Sequence, residues 1–152
     1  METVAAALEG LALAEWLRQS RWGYAAVNAG HVFGIALLVG AIVPVNLRLL
    51  GLWRSLALRP LYAMLARIAA TGLALAIVTG LLLFSVRATE YVALELFLVK
   101  LVLVAVGALH ASTLHWATRF PDVSRARQRL AGTVSLLLWP IVLVCGRLLA
   151  FL

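Results

Sequence analysis

Four apolar stretches, at about residues 22–47, 61–86, 92–117 and 130–151, fill most of the 152-residue chain, and each is long enough to cross a bilayer with some tilt. An open strand in lipid would leave its backbone N–H and C=O groups unpaired, so these stretches predict helices. Composition agrees. The chain is 64% hydrophobic and 12% charged with a mean hydropathy of +1.04, which leaves no room for a separate soluble domain. The expected architecture is all-α: a single-domain integral-membrane four-helix bundle over residues 1–152. A short interfacial helix at about residues 3–18 is expected to precede it.

That first segment, METVAAALEGLALAEWLRQSRWG, lacks the positive start of a secretory signal, and Glu9 and Glu15 interrupt its short apolar run. Its leucines and Trp16, followed by Arg18, Arg21 and Trp22, suit a helix lying in the membrane surface. Pro60 and Pro121 fall in the polar connections GLWRSLALRP and RFPDVSRARQR, where proline starts or stops helices. Pro44 lies inside the first span, where it predicts a kink near the inner end.

The net charge of +7 does not point to nucleic acid, because the arginines flank apolar runs and are not gathered on one soluble face. They act as topology signals. Arg48, Arg54 and Arg59 lie in the first connection, and Arg119, Arg125, Arg127 and Arg129 in the third, so those two are expected on the cytoplasmic side. Arg18, Arg21, Arg87 and Arg147 on the other side are diluted by Glu2, Glu9, Glu15, Glu90 and Glu95. Both termini are therefore expected outside. The lone cysteine, Cys145, has no partner for an intramolecular disulfide and reads as a small buried residue.

Small residues recur four apart: Ala26, Gly30 and Gly34; Gly72, Ala76 and Gly80; Gly107 and Ala111. Such spacing lets helix backbones approach closely, and glycine can equally make room for a flat cofactor. Depth is more telling, because ionisable residues within a bilayer face the bundle interior or an aqueous path. His31 lies nine residues below Trp22 and Lys100 nine below Tyr91, about 13 Å each at the helical rise, so both are expected at one level. Thr79 and Cys145 fall near it, about 12 Å below Arg87 and about 10 Å from the C-terminal end. Together these four side chains make a polar layer near the outer leaflet.

His110 is expected about 15 Å deeper than His31, too far for both to bind one iron, and a hydrogen-bonded or interfacial role fits it better than metal ligation. His115 is expected at the cytoplasmic boundary. For Lys100 the alternatives are snorkelling toward the outer surface or pairing with Glu95, and for His31 a hydrogen bond to a neighbouring helix. A neutral imidazole is a good iron or copper ligand, whereas a lysine amine ligates only after losing its proton. Paired carboxylates, a Walker loop, a zinc signature and a nucleophile–base constellation are all missing from the sequence, and the histidines of GALHASTLHW are five apart, not four. The sequence therefore gives no support to soluble hydrolase or nucleotide chemistry. No residue is assigned a catalytic role.

The motifs GHVFGIALLVG in the first span, a proline followed by NLRLLG at its inner end, TGLLLF closing the second span, and LFLVKLVLVAVGALH in the third follow one another in a telling order. Over most of its length the chain resembles a family of small bacterial four-helix membrane proteins. More distantly it resembles the copper-resistance D membrane proteins and the four-helix membrane protoporphyrinogen oxidase. In the oxidase, a first-span histidine and a third-span lysine of this pattern accompany a bound b-type haem. The resemblance implies that role for His31 and Lys100, and equates Pro44 and Arg48 with the inner-end proline and arginine. The aromatic-rich continuation of that inner-end motif is missing, and Asn28 and Asn46 stand where acidic residues are expected. The resemblance thus implies the fold and a haem site more than the oxidase reaction.

The leading expectation is a haem-b protein of the bacterial inner membrane that transfers electrons or oxidises a small membrane-soluble substrate, with a quinone or redox protein as partner. His31 would be one axial ligand, Lys100 the opposite ligand or a partner for a haem propionate, and Asn28, Thr79 and Arg48 would complete the cofactor-binding set. Two alternatives remain open. One is a copper-handling membrane protein, against which the scarcity of sulfur argues, since Met1, Met64 and Cys145 are all the chain has. The other is a cofactor-free structural subunit of a larger membrane complex, or a homo-oligomer, in which the polar layer only orders the bundle.

Overall fold

A computed structural model describes residues 2–114 and 120–151. Seven α-helices account for nearly all of them: α1 (Glu2–Glu9), α2 (Ala12–Gln19), α3 (Arg21–Leu50), α4 (Leu58–Val86), α5 (Ala88–Val92), α6 (Glu95–Ser112) and α7 (Arg125–Leu148), the last continued by a 3₁₀ turn at Leu149–Phe151. Four of them, α3, α4, α6 and α7 with its 3₁₀ extension, are long and apolar enough to cross a membrane. The chain is a multi-pass, all-α membrane protein. With 29 residues, α4 runs for about 43 Å, well beyond a hydrocarbon core about 30 Å thick.

Local signals set the ends of α3. The Ser20 hydroxyl accepts from the Gly23 N–H at 3.0 Å and caps the start. At the other end Gly51 takes φ 111°, and Gly51 and Leu52 donate their N–H groups to the Arg48 and Leu47 carbonyls, closing the helix on a left-handed residue that glycine adopts without strain. Pro44 is carried inside α3, which continues without interruption to Leu50, and Pro140 is carried likewise inside α7.

Helix α3 is central to the bundle. It packs along α4 on one side and α7 on the other, and α6 packs on α7. The first seam is closest at two glycines. A Cβ on Gly34 would lie 2.7 Å from the Ala76 nitrogen, and one on Gly72 would lie 2.6 Å from the Leu38 nitrogen, so the two backbones touch with no side chain between them. Below this contact Leu38 and Ile42 of α3 meet Trp139 and Val142 of α7, with Ala69, Leu73, Leu103 and Val104 of α4 and α6 packed around them. One buried polar pair crosses the core, Asn46 donating to the Ser135 hydroxyl at 2.8 Å. Gly107 takes the edge of Trp139, whose nearest ring carbon would be 3.0 Å from an added Cβ.

Helix α3 runs three residues past the expected end at 47 and α4 starts three before the expected 61, and three further boundaries differ for visible reasons. The interfacial segment expected as one helix over residues 3–18 is two, broken at Gly10 and Leu11, where glycine ends α1. The third span, expected from residue 92, begins at Glu95, because Leu94 is extended and α5 turns aside to pack on α1. There the Glu9 carboxylate accepts from both the backbone N–H and the hydroxyl of Thr89, each at 2.7 Å. These bonds, first the backbone one, hold the Glu9 carboxyl below the usual carboxylate range. The last span begins earlier than residue 130, at Arg125, where the Ser124 hydroxyl accepts from the Arg127 N–H.

All five glutamates and the first and last described residues, Glu2 and Phe151, lie at one end of the bundle, hereafter the terminal end. The connections carrying Arg48, Arg54, Arg59, Arg125, Arg127 and Arg129 lie at the other, the basic end. Arg18 of α2 donates from Nε and Nη2 to the Val86 carbonyl at 3.3 and 3.1 Å, tying the N-terminal helices to the end of α4. Trp16 and Trp22 are exposed there, at the level where amphipathic rings favour a membrane interface.

Candidate functional site

His31 sits on α3 three residues before the Gly34 contact, so the same close approach that joins α3 to α4 brings its ring against α4. Its Nδ1 lies 2.9 Å from the Ala76 carbonyl oxygen and 3.1 Å from the Thr79 hydroxyl oxygen. A carbonyl only accepts. Thr79 in turn gives its own proton to the Leu75 carbonyl at 2.6 Å, so its oxygen is also an acceptor toward His31. Both partners therefore assign the imidazole proton to Nδ1, and the neutral ring carries its lone pair on Nε2. No hydrogen bond to Nε2 is present among the described residues.

Glycines flank the two ionisable groups of this layer. A Cβ on Gly80 would come within 3.0 Å of the His31 ring at Cε1, so any larger residue there would push the ring by a few tenths of an ångström. Across the bundle the Lys100 amine lies against Gly146 of α7, 3.4 Å from where a Cβ would be. Gly146 directly follows the buried Cys145, so the amine lies beside the backbone that carries the thiol. Lys100 makes no ion pair with Glu95, which is exposed on the first turn of α6. Its depth is measured from Glu95, not from Tyr91, since α5 is a separate helix; the amine-bearing residue is five positions, about 7.5 Å, into α6.

An aromatic group roofs this layer. Phe97, one turn from Lys100 toward the terminal end, stacks on Phe84 with ring centres 5.2 Å apart and an interplanar angle of 8°, and Tyr91 packs at 5.3 Å from Phe97. Phe84 belongs to α4 and Phe97 to α6, so the roof bridges two helices whose backbones are otherwise well separated. Beneath it, Leu38 and Val142 form the apolar floor. His31 and Thr79 thus meet on the α3–α4 seam, while Lys100 lies against α7 at Gly146, next in sequence to Cys145.

Other residues considered from the sequence are placed elsewhere. Asn28 is exposed on α3, three residues toward the terminal end from His31. Arg48 is seventeen residues from His31, about 25 Å along the same helix, and donates to the Leu56 and Arg54 carbonyls. His110 has Nε2 at 3.4 Å from the Ala131 carbonyl, on α7 near the basic end. His115 lies outside the described residues. Among the described residues no three His, Cys, Asp or Glu side chains converge, so the layer offers one imidazole, one amine and one thiol as donors. Neither the Nδ1 partners of His31 nor the roles of Gly80 and Gly146 against the two ionisable groups could be read from the sequence; the only signal was the small-residue spacing around Gly80.

No family model, curated protein or solved structure matches the chain.

Proposed function

We propose that the chain binds haem b through His31 and serves in electron transfer or in oxidation of a small membrane-soluble substrate. The observation that carries this reading is the double acceptor behind His31. An imidazole whose Nδ1–H is held by a backbone carbonyl presents a fixed, basic Nε2, which is how proteins orient histidine toward a metal. Gly80 keeps the ring's own position clear, and the Phe84–Phe97 pair closes the layer from the terminal end. A bound haem would supply one-electron chemistry, its potential set by ligand identity, burial and nearby charge. Lys100 faces the same layer and would serve as second ligand once its amine is deprotonated, or as the cation that pairs with a propionate. The resemblance in motif order to haem-binding four-helix proteins supports the same assignment. On the charge distribution, the basic end faces the cytoplasm of a bacterial inner membrane and the termini lie outside.

The test is a reduced-minus-oxidised spectrum with pyridine haemochrome quantification on detergent-purified protein expressed with ample haem. About one haem per chain is expected. His31→Asn keeps a donor at the Nδ1 position for the Ala76 carbonyl while removing the Nε2 lone pair, and should lose the haem without unfolding the bundle. Unchanged haem content in that variant, or a colourless wild type, refutes the reading; copper in the colourless protein would favour metal handling instead. Lys100→Leu separates its two roles, because losing a ligand changes the iron's spin state whereas losing a propionate partner only weakens retention.

A further inference from the structure

At the basic end, about 25 Å from His31, a cavity of about 240 Å³ is lined by Arg48, Arg54, Arg125 and Arg129 together with Leu49 and Leu58. Four guanidiniums meet there. The one carboxylate at this end of the chain, Asp122, is already paired with Arg59, and all five glutamates are at the terminal end. No acidic side chain is left to neutralise the cavity.

The cavity wall is built. Arg48 holds the α3–α4 connection by donating to the Leu56 carbonyl at 2.9 Å and to the Arg54 carbonyl at 3.3 Å. Arg54 folds back over Gly51, donating to its carbonyl at 3.1 Å. Trp53 between them is left-handed, with φ 48°, a conformation that persists only where surrounding bonds enforce it. On the facing wall Arg125 and Arg129 are four residues apart on one face of α7, and their side chains make no hydrogen bond or ion pair among the described residues.

We infer that this cavity binds the phosphate of an anionic membrane phospholipid. Arginine forks match phosphate oxygens bidentately, and basic pockets between membrane helices hold lipid headgroups. A lipid fits better than free phosphate because Leu49 and Leu58 line the cavity and Leu52, Trp53 and Leu56 are exposed on the adjoining connection, where acyl chains and glycerol would lie.

The experiment is native mass spectrometry of the full chain released from phosphatidylcholine bilayers containing a minority of phosphatidylglycerol. The wild type should retain about one phosphatidylglycerol. Arg125→Gln with Arg129→Gln should retain it about 30-fold more weakly, given the weight of each basic residue at an anionic surface. Both side chains are exposed, so the bundle itself should stay folded. Arg127→Gln removes a charge from the same turns without touching the cavity and should bind as the wild type does. The proposal is overturned if Arg127→Gln loses as much as the double variant, if the wild type retains no anionic lipid, or if millimolar inorganic phosphate displaces the lipid and takes its place.

Discussion

Replacing Gly34 by alanine places a methyl carbon 2.7 Å from the Ala76 nitrogen and 2.9 Å from the Gly72 oxygen. Both obstacles are backbone, so no side chain can rotate out of the way. Recovering an ordinary contact of 3.4 Å requires α3 and α4 to part by about 0.7 Å. The same movement stretches the bond from His31 Nδ1 to the Ala76 carbonyl from 2.9 Å toward about 3.6 Å, where it is no longer a hydrogen bond. Overpacking costs about 1–3 kcal/mol and the lost bond about 0.5–1.5 kcal/mol, while the better helix propensity of alanine returns about 0.5–1 kcal/mol. The net expectation is a loss of about 2 kcal/mol. Gly40→Ala is the matched control: nothing lies within 4 Å of its Cβ, so only the propensity gain remains. Reversible unfolding by dodecyl sulfate in mixed micelles measures both, and a haem assay on the same samples reads out His31. Equal stability of the two variants would refute the claim that this glycine pair sets the spacing of the site.

Two further outcomes are expected. Ser135→Ala strands the buried Asn46 amide and should cost about 1 kcal/mol in the same unfolding assay, with Asn46→Leu plus Ser135→Ala costing less than the two singles combined. The Glu9 carboxyl titrates below its ordinary 4.5 in the folded protein, so its contribution is complete above that value and is lost as pH falls through the folded-state pKa. Trp16 fluorescence or protease sensitivity of the N-terminal helices should therefore change on acidification; the same acid profile in Glu9→Gln would show that the Thr89 clamp is not responsible.

The spans were legible because lipid permits little else: an apolar stretch of this length has no alternative to a helix. Depth was legible for a related reason, since the fixed rise of a helix turns residue counts into ångströms, and His31 does meet Thr79 across the α3–α4 seam. The counts erred where a helix was not continuous. The run between Arg87 and Glu95 contains neither proline nor glycine, and α5 within it is held against α1 by a contact from Glu9, eighty residues away in sequence. Small-residue spacing admitted two readings, and Gly34 with Gly72 realises the first by bringing backbones together; Gly80 does something neither reading named, taking the His31 ring against its face. The protonated nitrogen of His31 was out of reach, since it depends on two acceptors on another helix. The Asn46–Ser135 pair was hidden for the same reason, a partner eighty-nine positions away.

His31 and its acceptors belong to the hairpin of α3 and α4, whereas Lys100 and Gly146 belong to that of α6 and α7. The first hairpin is complete, imidazole already oriented, while the ribosome is still making the second. The layer itself comes into being only when α7 closes on α3. A ligand held by both the imidazole and the amine, as proposed above, would therefore join two halves made at different times.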